Sequence, residues 1–367
     1  MNCTTALRKV ILTSLSCMAL IAADGTAWAG DKPLRITSLL PTTVQEWTVE
    51  IKAGAEAAAK DLGFPVELRF EGPSSFDPSK QAAMFQNEVL RSPDAIIITN
   101  IAAPLFIEPV LEAQKKGIKV AWIDSAPASD FHDGFFVSAD PTEMGLAAAA
   151  VIAKTLEKSI GKPADEIEGK VEIGSCVPGL AVLENRVVGT RNGLAKLMPK
   201  VKVQDTVATK PDREGSFAAW NQAIRKDPDA LAYLDACEAG QQNIARIIAE
   251  NKLKATSVAF DVPEDIRQAV KDGIIPAAIP SSFYAQSYMA VYLTAKALHE
   301  GKPLPKHWLK ISPLVLDSSN IDAYIEGWKD PVTGLRQFYG PEFDRAKALA
   351  DKGELAPIAD YDNPPIQ

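Results

Sequence analysis

The sequence predicts an α/β protein with two doubly wound parallel-sheet domains of the Rossmann-like type that face each other. Apolar segments of strand length alternate with helical segments between residues 34 and 299. The connections between them are short, which favours parallel strands joined by right-handed crossovers. The alternation occurs twice, with five strands in each half, and a chain of 367 residues suits about two domains.

The first 29 residues have the features of a secretory signal peptide. Arg8 and Lys9 precede an apolar run, and the small residues of "AWAG" suit cleavage after Ala29. A lipid anchor at Cys17 is the alternative, although the residues before it fit a lipid-attachment motif poorly. No later segment has the roughly 20 apolar residues that a membrane span requires. We therefore expect an exported, periplasmic protein.

The composition and the motifs present exclude several functional classes. Hydrophobic residues make up 47% and charged residues 23% of the chain, as in soluble globular proteins. A formal charge of −8 argues against nucleic acid or an anionic membrane surface as the main partner. The first strand leads into "LLPTTVQEW", which has no glycine fingerprint for a nucleotide.

Signals for catalysis are also missing from the sequence. There is no HExxH motif, and the three histidines are isolated from one another. Cys176 has no histidine in a motif that would activate it as a nucleophile. We therefore expect a protein that is not an enzyme and that carries no cofactor or metal.

The first half begins with an apolar strand that leads into a one-sided helix. From Trp47 to Leu62, apolar residues recur at spacings of three and four, and Gly63 ends the helix. The predicted strands of this half are 34–40, 66–70, 95–99, 119–123 and 135–139, and its further helices are 79–91, 105–116 and 142–158.

The second half repeats the same scheme. Its predicted strands are 170–175, 202–207, 230–235, 256–261 and 277–280, and its helices are 181–197, 215–226, 239–251, 263–271 and 284–299. After residue 311 the pattern fades. "LVLDSSN" is either a last strand or a linker, and a polar tail with one or two short helices follows. We expect the final "DYDNPPIQ" to be disordered.

Polar side chains and one aromatic residue follow the predicted strands at their carboxyl ends, where open α/β sheets hold ligands. Together they suit a small polyhydroxylated molecule, because carboxylates accept from hydroxyls, a guanidinium donates to oxygens, and an indole covers an apolar sugar face. The candidates are Gln45, Glu46, Trp47, Asp124, Ser125, Asp140, Arg186, Cys237, Glu238, Asp261, Ser281 and Ser282.

Several of these candidates have a structural alternative. Asp140 and Asp261 each precede a helix and could simply cap it. Trp47 could belong to the core, and Arg186 could pair with a neighbouring acid. Asp124 has Pro127 rather than a helix behind it, so capping explains this carboxylate least well.

Seven landmarks lie in order between residues 34 and 300, and they read "AGAEAAAKDLG", "GIKVAWIDS", "SADPTEMG", "ENRVVGTRNGL", "DPDALAYLDACEAG", "VAFDVPEDIRQAVKDG" and "FYAQSYMA". Over this range the chain resembles the periplasmic sugar-binding proteins of the ribose- and galactose-binding type, which have the type I periplasmic binding protein fold. The resemblance implies ligand contacts at Trp47, Asp124, Arg186, Asp261, Gln45, Ser125, Asp140, Cys237 and Ser281.

Departures from the ribose-type pattern suggest a different ligand. Ser125 stands where that pattern has arginine, and Cys237 stands where it has asparagine. The pattern also has glutamine near Ser281, and Pro211 occupies the place of a second stacking aromatic residue. The chain therefore offers fewer long hydrogen-bond donors than a ribose site, and the ligand stays unnamed at this point.

The resemblance implies a monomeric solute-binding component of an ABC transporter, which closes two lobes on a sugar-like ligand and delivers it to a permease. The alternative is a sensory protein that presents its ligand to a membrane receptor kinase. The implied hinge has three segments near 137–142, 259–264 and 311–317. The implied parts are an N-terminal lobe of 30–140 plus 263–311, a C-terminal lobe of 141–262 plus 312–325 that can also claim strand 277–280, and an extension of 326–367.

Two cysteines remain after the signal peptide, Cys176 and Cys237. In an oxidising compartment they could form a disulfide, or they could be separate buried thiols. In the implied fold they follow the first and third strands of the second domain, which lie side by side. We therefore predict a disulfide between them.

Overall fold

The computed structural model describes residues 32–362. The predicted signal peptide, its cleavage site after Ala29 and the last five residues of the predicted disordered end lie outside the described residues. No helix within the described range has both the length and the apolar character needed to cross a bilayer.

The order of strands and helices follows the predicted alternation. The strands are β1 (Leu34–Leu39), β2 (Val66–Glu71), β3 (Ala95–Ile98), β4 (Lys119–Ile123), β5 (Phe135–Ala139), β6 (Gly169–Ser175), β7 (Val201–Val203), β8 (Val207–Ala208), β9 (Ala232–Asp235), β10 (Val258–Ala259), β11 (Ala277–Ala278), β12 (His307–Ile311) and β13 (Leu316–Asp317).

The helices alternate with these strands and then continue alone at the C-terminal end. They are α1 (Trp47–Asp61), α2 (Pro78–Arg91), α3 (Ile107–Lys115), α4 (Pro141–Ile160), α5 (Ala181–Leu197), α6 (Arg213–Lys226), α7 (Glu238–Asn251), α8 (Glu264–Lys271), α9 (Phe283–His299), α10 (Ile321–Gly327), α11 (Pro331–Phe338), α12 (Gly340–Lys352) and α13 (Ala359–Asp362).

Six parallel strands form the N-terminal sheet, in the order β12-β5-β4-β3-β1-β2. Its central strands are apolar on both faces because helices cover both faces. Ile97 packs in the cluster that includes α1 and α9, whereas Ile96 and Ile98 pack with α2 and α3. The sixth strand, β12, was not predicted. It pairs with β5 so that Trp308 lies opposite Phe136.

The second set of strands forms the C-terminal sheet. β7 and β8 pair with one side of β6, and β9 pairs with the other side. A bridge between Ala232 and Thr256 continues the sheet to β10, β11 and the antiparallel β13. The predicted strand 202–207 is therefore two short strands with an interruption at 204–206.

The chain passes between the two sheets three times. It leaves the N-terminal sheet after β5 and crosses again after β11, where α9 leads to β12. The third crossing joins β12 to β13. The second crossing was expected near 259–264 but lies at 279–282, because β10, α8 and β11 form one βαβ unit that stays with the C-terminal sheet.

The segment from residue 312 packs against helices of the N-terminal sheet as well as against the C-terminal sheet. β13 lies on β11, α10 contacts α8, α11 contacts α1, and α12 contacts α9. The ring of Phe343 stacks on that of Tyr288 at a centroid distance of 3.8 Å. Where one or two short helices were predicted, residues 312–362 contain four.

Candidate functional site

A cavity of about 90 Å³ lies between the carboxyl ends of the strands of both sheets. This space is several times what one water molecule requires. From the N-terminal sheet side it is lined by Pro41, Gln45, Trp47, Phe76, Thr99, Ile101, Asp124, Ser125 and Phe283, and from the other side by Cys176, Val177, Leu180, Val182, Leu183, Arg186, Pro211, Ala236, Cys237, Glu238, Ala239 and Asp261.

Asp124 directly follows β4 and has the left-handed backbone conformation, with φ at 68°. Its amide donates to the carbonyl oxygen of Val137 on the neighbouring strand at 3.1 Å. Burial raises the pKa of the Asp124 carboxyl to about 6, while Arg186 and the amide of Gln286 act in the opposite direction. Asp124 lines the cavity, and the raised pKa brings the titration of its carboxyl group toward neutral pH.

Arg186 lies on α5, which approaches α4 closely because of a glycine. A Cβ atom at Gly189 would lie 2.1 Å from the carbonyl oxygen of Thr142. The Arg186 guanidinium is 3% exposed and donates to the carbonyl oxygen of Ala236 at 2.8 Å. Its Nη2 donates to Ser281 Oγ at 2.6 Å. These bonds fix the guanidinium beside the cavity.

Asp261 completes a buried network with the same arginine. Its Oδ2 is 3.7 Å from Arg186 Nη1, and its Oδ1 accepts from Ser281 Oγ at 2.9 Å. Burial raises the pKa of the Asp261 carboxyl, and the positive charge of Arg186 partly offsets the rise. Two carboxyl groups, Asp124 and Asp261, thus share the field of one guanidinium.

Aromatic rings form another part of the wall. The Trp47 indole stacks on Phe283 with ring centroids 4.8 Å apart, and its Nε1 donates to the side-chain oxygen of Gln45. Phe76, from the connection between β2 and α2, also lines the cavity. Sequence reasoning missed Phe76 and Phe283 as wall residues, although Phe283 directly follows the predicted strand end at Ser281 and Ser282.

The predicted disulfide between Cys176 and Cys237 is confirmed. The two Cα atoms are 6.1 Å apart, and the cysteines follow β6 and β9, which are neighbours in the sheet. Both cysteines line the cavity, as does Ser125. The disulfide therefore links two connections that carry the wall of the site.

Two of the nine residues with an implied ligand contact, Asp140 and Ser281, lie outside the cavity wall. The Asp140 carboxylate caps α4 by accepting from the amides of Thr142 and Glu143 at 3.0 and 3.3 Å. It also pairs with Lys310 at 2.8 Å. Ser281 lies behind the wall, where it joins Arg186 to Asp261. Direct ligand contact at the predicted residues stays a prediction.

Glu238 is a polar wall residue that sequence reasoning noted but did not select. Its Oε2 is buried and has no hydrogen-bond partner among the described residues. Burial raises the pKa of Glu238 to about 9, and the nearby acids Asp261, Glu46 and Asp265 act in the same direction. At neutral pH this carboxyl keeps its proton and is a hydrogen-bond donor. Over residues 32–362, no cluster of His, Cys, Asp or Glu side chains could hold a metal ion.

Comparisons with known proteins bear on the family and the fold of the chain. A family model described as periplasmic binding protein domain matches residues 36–303. The D-allose-binding periplasmic protein of Escherichia coli is 25% identical over 278 residues, which is 73% of this chain and 85% of that protein.

Solved structures share the fold. A carbohydrate transporter solute-binding protein from Agrobacterium radiobacter, in complex with D-arabinose, is 25% identical with a TM-score of 0.70 and covers 80% of this chain and 98% of its own. An ABC transporter periplasmic solute-binding protein from Actinobacillus succinogenes, with bound D-allose, is 19% identical with a TM-score of 0.70 and covers 79% of this chain and 99% of its own. The predicted fold of two Rossmann-like lobes is thereby confirmed.

Proposed function

Because the chain belongs to the periplasmic binding protein domain family, we propose that it captures a small sugar or sugar-like ligand between two lobes and delivers it to an ABC transporter permease. The relatives described above support this proposal, since their names include D-allose binding and a complex with D-arabinose. The two solved structures are named as solute-binding proteins of transporters, which favours delivery to a permease over presentation to a sensor kinase, and binding over catalysis.

The chemistry of the cavity wall carries the proposal. Asp124 and Asp261 flank Arg186, so acceptors and a donor lie side by side in a buried space. Neighbouring hydroxyls of a sugar can donate to the carboxylates and accept from the guanidinium. The stacked rings of Trp47 and Phe283 offer an apolar surface for the C–H face of the sugar. Hydrogen bonds to charged groups contribute about 1.5–3 kcal/mol each, so a few of them are compatible with roughly micromolar affinity.

Closure of the lobes is the mechanism that fits this wall. Asp124 and Trp47 come from connections of the N-terminal sheet, whereas Arg186 and Asp261 come from connections of the C-terminal sheet. A ligand that bonds to both sets stabilises the closed form by its preference for that form. We place the hinge, and with it the lobe limits, at the crossings 140–141, 279–282 and 312–315. The protein acts in the periplasm as a monomer.

A ligand screen with a single-residue variant tests this function. We expect at least one sugar in a panel of pentoses, hexoses and deoxyhexoses, with D-allose and D-arabinose included, to raise the melting temperature of the mature protein. Asp124→Ala should weaken binding of that sugar by tenfold or more, because it removes an acceptor in the wall. The melting temperature of the unliganded variant should stay within a few degrees.

The Glu88→Gln variant is the matched control. Its side chain can still accept from the Thr37 hydroxyl, and Glu88 lies on α2, outside the cavity wall and the hinge. We expect this variant to bind the sugar as the unchanged protein does. If no sugar in the panel stabilises the protein, or if both variants bind equally well, the proposed site is wrong.

A further inference from the structure

The last described helix, α13, places Tyr361 behind the ligand cavity. The Tyr361 ring is buried, and it packs edge-on against Phe136 and Trp308 with a centroid distance of 5.2 Å to each. The backbone of Ala356 exchanges two hydrogen bonds with that of Trp308, at 2.8 and 3.0 Å. The chain before Tyr361 is thus held along the edge of the N-terminal sheet.

The hydroxyl of Tyr361 contacts the backbone of the principal site residue. Its Oη donates to the carbonyl oxygen of Asp124 at 2.8 Å. Asp124 is not a glycine, yet its φ is 68°, a conformation that L-residues adopt only at a cost in free energy. A hydrogen bond to this carbonyl stabilises the backbone orientation in which Asp124 lines the cavity.

The backbone of Tyr361 contacts the other side of the site. The side-chain amide of Asn185 donates to the Tyr361 carbonyl oxygen at 2.7 Å. Asn185 is buried on α5 and immediately precedes Arg186. One residue therefore bonds to Asp124 after β4 and to the neighbour of Arg186 on α5.

We propose that Tyr361 is a positioning residue for ligand binding, which fixes the backbone of Asp124 and ties it to the helix that carries Arg186. The inference rests on the proposed function. It concerns a part of the chain outside residues 36–303, which the family model matches. The match to the solute-binding protein with bound D-arabinose includes 98% of that protein's chain but 80% of this chain.

The Tyr361→Phe variant tests the proposal, because it removes the hydroxyl and keeps the ring. Tyr233→Phe is the matched control, since Tyr233 Oη also donates to a backbone carbonyl, that of Asp227, at 2.7 Å. Neither Tyr233 nor Asp227 lines the cavity. By calorimetry with a sugar that binds the unchanged protein, we expect Tyr361→Phe to weaken binding three- to tenfold and the control to stay within twofold.

Hydrogen exchange in the unliganded protein provides a second readout. A peptide spanning residues 123–128 should exchange at least threefold faster in Tyr361→Phe than in the unchanged protein, and it should be unaffected in the control. Unchanged exchange overturns the inference whether or not a sugar has been found. If no sugar binds the unchanged protein while the exchange effect is present, the proposed function fails and the positioning of Asp124 stands.

Melting temperatures separate positioning from a general loss of stability. We expect both variants to melt within a few degrees of each other. If Tyr361→Phe loses affinity only together with a large loss of melting temperature, its role is structural and the inference is overturned. Asn185→Ala removes the bond on the other side of Tyr361 and should weaken sugar binding as well, and full affinity in this variant would contradict the tie to α5.

Discussion

Asp124, Asp261 and Glu238 share one cavity wall with a single guanidinium, so the proton on each carboxyl affects what the wall can bind. Burial raises the pKa of all three carboxyl groups. Asp124 has its pKa at about 6 and Glu238 at about 9, so between these values Asp124 is an acceptor while Glu238 is a donor. A sugar hydroxyl, which both donates and accepts, can bond to either group.

The pKa of Asp124 gives a pH dependence for binding. Above about pH 6 the Asp124 carboxylate can accept charge-assisted hydrogen bonds from ligand hydroxyls. Below that pH it binds a proton, so one of its oxygens becomes a donor and the remaining acceptor is neutral and weaker. We expect the affinity for the sugar to fall by up to tenfold between pH 7.5 and pH 5, measured by calorimetry. Asp124→Asn has no carboxyl to titrate and should bind weakly with little change over this range. If affinity falls equally in both proteins, another group controls the pH dependence.

Strand-end reasoning identified much of the cavity wall from sequence, and its errors have physical reasons. Gln45, Trp47, Asp124, Ser125, Arg186, Cys237 and Asp261 all lie in the wall, because the carboxyl ends of parallel strands meet at one edge. Asp140 also follows a strand, but two backbone amides at the start of α4 hold its carboxylate. Phe76 lies in an irregular connection, where no periodicity indicates which way a side chain faces.

Most of the predicted helices and strands lie within a few residues of the observed ones. α5 has the predicted limits of 181–197, and β4 and β5 also agree with prediction. The sequence "HWLKI" of β12 was missed because a histidine and a lysine interrupt its apolar character. The strand predicted at 202–207 is interrupted because Gln204, Asp205 and Thr206 leave no apolar side chain to bury. Whether such short segments form strands depends on pairing with strands that are distant in the sequence.

The disulfide stabilises the C-terminal sheet by joining the connections after β6 and β9. It closes a loop with a sequence separation of 61 residues. Closing a loop of this length lowers the entropy of the unfolded chain, and this raises the free energy of unfolding by about 4 kcal/mol. We expect the Cys176→Ala, Cys237→Ala double variant to unfold in urea with a free energy lower by about 2–4 kcal/mol. A reductant that breaks the disulfide should destabilise the unchanged protein similarly and leave the double variant unaffected. If the unchanged protein and the double variant have equal unfolding curves, the prediction is wrong.

At the scale of the molecule, a second contact joins the two halves away from the cavity wall. The Glu46 carboxylate, at the start of α1, accepts from the backbone amide of Glu264 at 3.0 Å and pairs with Arg267 Nη2 at 3.0 Å. Both partners belong to α8, which stays with the C-terminal sheet. Arg267 in turn stacks on the Trp328 ring at 4.1 Å. The segment after β13 therefore supports a contact that exists only while the two halves are close together.

Removal of this contact should shift the equilibrium between open and closed forms. Glu46 is partly exposed, so we expect Glu46→Ala to cost the closed form about 1 kcal/mol. The apparent dissociation constant for the sugar should then rise about two- to fivefold, because the closed form is less populated. By small-angle scattering, the unliganded variant should have a larger radius of gyration than the unliganded unchanged protein. At saturating sugar the two proteins should have the same radius of gyration. Glu250→Ala breaks an exposed pair within α7 and should change neither quantity. Equal scattering and affinity in Glu46→Ala would show that this contact does not govern closure.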